Sequence, residues 1–318
     1  MNNLEPTPTN AANAANPATP DTEPRLPRRD PAGHKGTFGT VSIFGGCCRV
    51  PSRMIGAPAL AAMGALRAGC GIARVVTPAP IIDAVLAIVP SATGLTLTVD
   101  SSGEVIAHEA VAEMDHQCAS SSCVVVGPGM GDGAAIEAVA LRAVMQDSTP
   151  VVVDADGLNA LARVPEMWRD FRAPAILTPH PGEFARLARS LGVVGDAITP
   201  TARPEAAAAL ARRLGCVVVL KGAGTVVSNG IETWICDRGH ACLATAGTGD
   251  VLAGVIAGLV AQHARGATAI SLFDAARAGV FAHASAGESW ARTRGSESGL
   301  LACELACLVP AQIDRLRA

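Results

Sequence analysis

LATAGTGDVLAGVIAGL, residues 243–259, sets one acid, Asp250, between Gly249 and an apolar run that recurs at helical spacing through Val251, Leu252, Val255, Ile256 and Leu259. A turn built on Gly247 and Gly249 thus feeds a helix whose start carries the carboxylate. Free N–H groups at a helix start attract anions, so Asp250 reads either as a cap or as an acid beside an anion hole formed by Gly247, Thr248 and Gly249. Glycine in a helix costs about 1 kcal/mol against alanine. The crowding of Gly247, Gly249 and Gly254 around one acid therefore favours close approach of backbone to a ligand. Such a site suits deprotonation of a hydroxyl as it attacks phosphorus, the amides holding the phosphoryl charge and the acid taking the proton.

Upstream of this junction, short β-branched runs alternate with Ala-rich helical stretches. Strands are expected at Thr40–Phe44, Ile72–Thr77, Cys123–Val126, Pro150–Val153, Ala175–Leu177, Cys216–Leu220, Thr225–Ser228 and Thr233–Cys236. Helices are expected at about 56–68, 79–89, 133–146, 157–163, 182–191, 203–214, 249–264, 268–288 and 298–316. The alternation predicts an α/β fold with a mostly parallel central sheet and helices on both faces. The strands from 216 to 236 have no helix between them and a turn at Ser228-Asn229-Gly230, so they read as antiparallel edge additions. Residues 1–32, rich in Asn, Ala, Thr and Pro, are expected to form a disordered tail before a single domain over 33–318.

Composition narrows the function. The chain has 318 residues, 49% of them hydrophobic, and a net charge of −3, with Lys and Arg scattered singly. That excludes the basic footprint of a nucleic-acid binder and favours small-molecule chemistry. Apolar runs such as Val251–Val260 are too short and too glycine-rich to span a membrane, and the N-terminus lacks the apolar core of a secretory signal, so a cytoplasmic enzyme is expected. Ten cysteines without a CxxC pair read as reduced core thiols rather than a disulfide framework or a zinc site.

Ligands in an open α/β sheet bind beyond the carboxyl ends of the strands, and the chemistry-bearing loops here all follow strands. Lys221-Gly222-Ala223-Gly224-Thr225 offers a cation, pliant backbone and a hydroxyl, as phosphates require, although a solvated turn would look alike. Gly127-Pro128-Gly129-Met130-Gly131 is equally a tight turn or a close approach to ligand. His180 lies between two prolines, and Glu183, three residues on, reads as a helix-dipole partner. Asp154 and Asp156 in DADG could place water or Mg²⁺, or merely leave a strand. No GxxxxGK[ST] occurs, which excludes a Walker-type nucleotide site.

Together these stretches resemble the ADP-dependent NAD(P)H-hydrate dehydratases, a ribokinase-like family. The likeness runs from HKGTFGTV at 34–41 through GAPALAAMGALRAGCG at 56–71, VVGPGMG at 125–131, VVVDADGLNAL at 151–161, ILTPHPGEFARL at 176–187 and VVLKGAGTVV at 218–227 to ATAGTGDVLAG at 244–254. The resemblance implies a ribokinase-like fold and repair of hydrated NADH or NADPH. ADP would phosphorylate the hydrate's C6 hydroxyl with Asp250 as base, and phosphate would then leave. It further implies hydrate-binding positions at Ala57, Gly129, His180 and Asp250, and AMP-binding positions at Lys221, Gly222, Ala223, Gly224, Thr225 and Gly249. Mg²⁺ is implied as cofactor, with Glu183 as a partner through water, and a homo-oligomer and a separate epimerase as partners. Pro58 and Cys47-Cys48-Arg49 depart from the family pattern at the edge of the substrate site. A vitamin-precursor kinase of the same superfamily would use the same acid but release a stable phosphoester. In a silent nucleotide sensor, Asp250 would be only a cap.

Overall fold

In the computed structural model, which describes residues 23–263 and 268–317, nine strands form one sheet in the order β3-β2-β1-β4-β5-β6-β7-β8-β9. The strands are β1 (Thr40–Phe44), β2 (Ile72–Pro78), β3 (Thr93–Leu97), β4 (Cys123–Val126), β5 (Val151–Val153), β6 (Ala175–Leu177), β7 (Val217–Leu220), β8 (Val226–Ser228) and β9 (Thr233–Ile235). β1 to β7 pair in parallel, whereas β8 and β9 are antiparallel, as the helix-free stretch and its turn predict.

The helices are α1 (Gly56–Ala68), α2 (Ile82–Ile88), α3 (Ala107–Ser120), α4 (Ala134–Met145), α5 (Ala155–Leu161), α6 (Pro181–Leu191), α7 (Arg203–Leu214), α8 (Thr248–His263), α9 (Leu272–Arg294) and α10 (Ala302–Leu316). Successive strand side chains point to opposite faces, and each face has its own core. Val41, Ile43, Val125 and Ile176 pack toward α1, α8, α9 and α10, while Phe44, Val124, Val126 and Leu177 pack toward α3 to α7. Strands buried on both sides read as unbroken apolar runs, which is why VVVD and CVVV look as they do.

Two elements escape the sequence reading. β3 is an edge strand of sequence TGLTL, with only Leu97 buried, so it lacks an apolar run. α3 buries only Ala110, Met114, Gln117 and Cys118, a stripe too narrow and polar to stand out. The stretch 79–89 divides into a 3₁₀ turn at Ala79–Ile81 followed by α2. Residues 1–22 of the expected tail lie outside the described residues. Residues 23–32 do not behave as a free tail: Leu26 is 3% exposed, its N–H donates to the Leu316 carbonyl at 2.8 Å, and Arg29 donates to the Gly69 carbonyl at 2.7 Å. One large apolar side chain in a Pro-rich stretch suffices to dock it.

Gly254 corrects a further expectation. A Cβ there would stand 1.9 Å from the Ala61 carbonyl oxygen, and one at Gly258 would stand 2.6 Å from that of Ala65. These glycines bring α8 against the backbone of α1 rather than against a ligand. Among the described residues no helix is long and apolar enough to cross a membrane.

Gly254→Ala must push α1 and α8 apart and should lose about 1–3 kcal/mol, the range of an overpacked core. Urea denaturation checks this against Gly56→Ala, whose Cβ meets nothing within 4 Å and should leave the midpoint in place.

Candidate active site

The chain reverses its direction of strand addition between β1 and β4, where a crevice opens beyond the strand ends. The loops after these strands are tied together, the Gly46 N–H donating to the Pro128 carbonyl at 2.9 Å. Gly129, in the left-handed region at φ 63°, turns so tightly that a Cβ would lie 3.0 Å from that of Ala57 and 3.1 Å from that of Met54. Ala57 and Gly129 therefore share one wall with Met54, which the sequence did not single out. Pro58, the third residue of α1, is buried against Gly45 and leaves the helix unbroken. Cys47 and Met54 exchange backbone hydrogen bonds of 3.2 and 2.9 Å, closing the departing Cys47-Cys48-Arg49 segment into a loop. Arg49 pins that loop to Glu104 and Asp132.

On the other side of the crevice, three consecutive strand ends are joined by one buried carboxylate. Asp154, after β5, is 1% exposed and accepts from Thr178 Oγ1, after β6, at 2.7 Å and from Lys221 Nζ, after β7, at 2.6 Å. Lys221 also lies 3.7 Å from Glu183 Oε2. Burial works against the Lys221 ammonium, but the carboxylates of Asp154 and Glu183 outweigh it and lift Lys221 above its usual value. Asp154 is thus engaged in the fold.

His180 caps α6. Its Nδ1 accepts from the N–H groups of Gly182 at 2.9 Å and Glu183 at 3.4 Å, while Glu183 Oε2 accepts from the His180 N–H at 2.8 Å. This reciprocal cap places the His180 proton on Nε2. Glu183 is buried, which pushes its carboxyl above the usual range despite Lys221. Among the described residues no three His, Cys, Asp or Glu side chains are grouped to enclose a metal.

Asp250 sits in the first turn of α8. Its carboxylate accepts no hydrogen bond among the described residues, so it does not cap its own helix. Burial, reinforced by Asp154 and only partly offset by Lys221, pushes it up to about 7. The amides around it divide: Thr248 N–H turns back to the Thr245 carbonyl at 3.4 Å and Val251 N–H to Gly247 at 3.1 Å, whereas those of Gly247, Gly249 and Asp250 have no backbone acceptor among the described residues. Thr248 is also turned inward through its hydroxyl, bonded to the Leu243 carbonyl at 2.9 Å and that of Thr245 at 2.8 Å. The open amides are thus Gly247, Gly249 and Asp250.

Lys221 borders this helix start, 3.6 Å from where a Gly249 Cβ would be. Together they open into a cavity of about 740 Å³ whose lining includes Lys221, Gly222, Ala223, Gly224, Thr225 and Gly249, and also His240, Leu252 and His283. Gly222 and Gly224 adopt φ values of 143° and 62°, which side chains resist, and buried Arg203 braces this loop through the Leu220 carbonyl at 2.9 Å. His283 supports α8 through Nε2, 2.9 Å from the Thr248 carbonyl, and burial pushes its imidazole down to about 4, leaving it neutral. Thr178 lies in the quoted ILTPHPGEFARL stretch without a role assigned to it, whereas Arg203 and His283 escaped the sequence reading. Each of these two is a single polar residue in an otherwise ordinary helix, with no spacing signal around it.

Asp250 thus stands within electrostatic reach of Asp154, Lys221, Asp156 and Glu183, so the loops after β5, β6 and β7 meet the start of α8. The family model described as NAD(P)H-hydrate dehydratase matches residues 41–311. The chain belongs to the NAD(P)H-hydrate dehydratase family. It is 37% identical to the ADP-dependent (S)-NAD(P)H-hydrate dehydratase of Xanthomonas campestris over 90% of this chain and 92% of the relative. It is 34% identical to a bifunctional NAD(P)H-hydrate repair enzyme of Moorella thermoacetica over 89% of this chain, but spans only 51% of that protein, about half its length. The crystal structure of the ADP/ATP-dependent NAD(P)H-hydrate dehydratase of Bacillus subtilis, co-crystallised with ATP and Mg²⁺, superposes with a TM-score of 0.72 at 30% identity, covering 92% of this chain and 95% of that one. The fold is ribokinase-like, as the resemblance implied.

Two stability measurements follow from the electrostatics. An unfolded carboxyl gives up its proton above about 4, whereas Asp250 in the fold keeps it to about 7, so stability is lost as pH rises between those values. Asp250→Asn removes that loss, and its melting temperature should exceed that of the unchanged protein above pH 7 and converge with it toward pH 4. Lys221→Met, in contrast, strands the buried Asp154 charge and should cost about 3–5 kcal/mol in urea denaturation, part of it recovered by adding Asp154→Asn.

Proposed function

We propose that this family member dehydrates the S-form of NADH or NADPH hydrate with ADP as phosphoryl donor, releasing AMP and phosphate. The observation that carries the reading is the Asp250 carboxylate, unbonded and held near neutrality between open helix amides and the Ala57–Gly129 wall. A general base is most effective when its pKa lies near the working pH.

In this reading ADP occupies the cavity beside the 221–225 loop, and the nicotinamide end of the hydrate lies against Ala57 and Gly129 with His180 at its edge. Asp250 takes the proton of the C6 hydroxyl as that oxygen attacks the terminal phosphorus of ADP. The bond from that phosphorus to the bridging oxygen breaks, and AMP departs. Lys221 and the amides of Gly247, Gly249 and Asp250 hold the charge that moves across the phosphates. The ring-nitrogen lone pair then expels phosphate from C6, and loss of a proton from the adjacent carbon restores the double bond. Mg²⁺ commonly binds through one or two carboxylates, water and substrate phosphates, and with Asp154 already taken by Lys221 and Thr178, Glu183 acting through water fits such a partner for ADP. Bound there, the ion would neutralise phosphate charge. Epimerisation of the R-form would fall to a separate catalytic unit.

Incubation with purified hydrated NADH, ADP and Mg²⁺ should restore the near-ultraviolet absorbance of NADH, with AMP and phosphate formed in step. Accumulation of a stable phosphoester would instead indicate a kinase. Asp250→Asn should lose roughly 10²–10⁴-fold in turnover, the usual contribution of a general base. With the native acid, kcat/KM should fall about tenfold per pH unit below about 7, as Asp250 becomes protonated.

A further inference from the structure

A second cavity, of about 780 Å³, begins at Gly131 and Asp156 and runs along α6 past Arg163, Arg186 and Arg189. It borders the Ala57–Gly129 wall through Met54, which lines it. The Gly131 N–H donates to Asp156 Oδ2 at 2.8 Å, and Asp156 lies close enough to Asp250 to raise its affinity for a proton. The cavity about the 221–225 loop shares none of these residues, so the two spaces are distinct.

The cations in this groove are not equivalent. Arg163 is neutralised by Glu137 at 2.7 Å, and Arg49, at the opposite rim, by Glu104 and Asp132. Arg186 donates only to the amide oxygen of Asn159, at 2.9 Å, and among the described residues neither Arg186 nor Arg189 has a carboxylate partner. Both are exposed and, three residues apart, lie on one face of α6. That helix starts at His180. At ~1.5 Å per residue, Arg186 lies about 9 Å and Arg189 about 13 Å beyond His180 along the axis.

We infer that this groove binds the adenosine arm of the dinucleotide hydrate, Arg186 holding its pyrophosphate and Arg189 the 2′-phosphate that only the NADPH form carries. The inference rests on the proposed function, because it takes the nicotinamide end to lie at His180 and Gly129. Along a dinucleotide the order is nicotinamide, pyrophosphate, then adenosine ribose. Along α6 it is His180, Arg186, then Arg189. Guanidinium groups free of carboxylates suit phosphate oxygens, which they meet in paired hydrogen bonds.

The test compares steady-state kinetics of Arg186→Ala and Arg189→Ala on hydrated NADH and hydrated NADPH, together with nicotinamide-fluorescence titrations of the products NADH and NADPH. Arg186→Ala should raise KM for both hydrates about tenfold with little change in kcat, the signature of lost uniform binding. Arg189→Ala should shift the ratio of KM values, NADPH hydrate over NADH hydrate, about tenfold upward, and Arg189→Lys should restore most of it. The product titrations should move in parallel. An unchanged ratio in Arg189→Ala, or unchanged KM values in Arg186→Ala, overturns the assignment. An unmodified chain that turns over neither hydrate with ADP would instead overturn the proposed function, and the product titrations would still report on the groove.

Discussion

Helices α1 and α8 meet backbone to backbone, and the placing of the chemical groups follows from that contact. Gly254 and Gly258 on α8 leave no room for a Cβ against the carbonyls of Ala61 and Ala65, so the two helices lie at the closest separation their main chains permit. Both run over the same face of the sheet, and both begin at the carboxyl ends of the strands. Ala57 at the start of one and Asp250 at the start of the other are thereby brought to one crevice. An apolar interface of larger residues would set these starts apart, and the amides of the α8 turn would no longer face the strand loops.

The second constraint is polar. Asp154, Thr178 and Lys221 come from three successive strand ends and form one buried group, so the cation beside the helix start is already paired within the fold. That pairing outweighs burial, which works against the Lys221 charge, and lifts Lys221 above its usual value. The same negative surroundings, with burial, hold Asp250 near neutrality. Lys221 is therefore fixed and charged by its carboxylates, while Asp250 is poised between its two protonation states by burial first and those carboxylates second.

Much of this was legible in the chain because parallel strands buried on both faces give uniform apolar runs. Glycine turns after those runs mark the strand ends that face the start of α8. α1 and α7 match their expected limits, and the antiparallel β8 and β9 follow from the absence of a helix between their runs. What escaped has physical reasons. β3 lies at a sheet edge and needs few apolar side chains, and α3 buries a stripe broken by Gln117. Gly254 looked like a ligand contact because a glycine needed for helix approach and one needed for ligand approach are the same residue in a sequence. His283 and Arg203 act through single carbonyl bonds across long sequence separations, which no local pattern announces.

The docked lead-in has a further consequence. Leu26 and Arg29 fasten to Leu316, Gly69 and Gln262, the last residues of α10, the cap of α1 and the end of α8. These lie at the floor of the molecule, on the side opposite the mouth of the crevice. The described chain therefore enters the fold on the face away from the crevice, and residues 23–32 lay no backbone across its mouth.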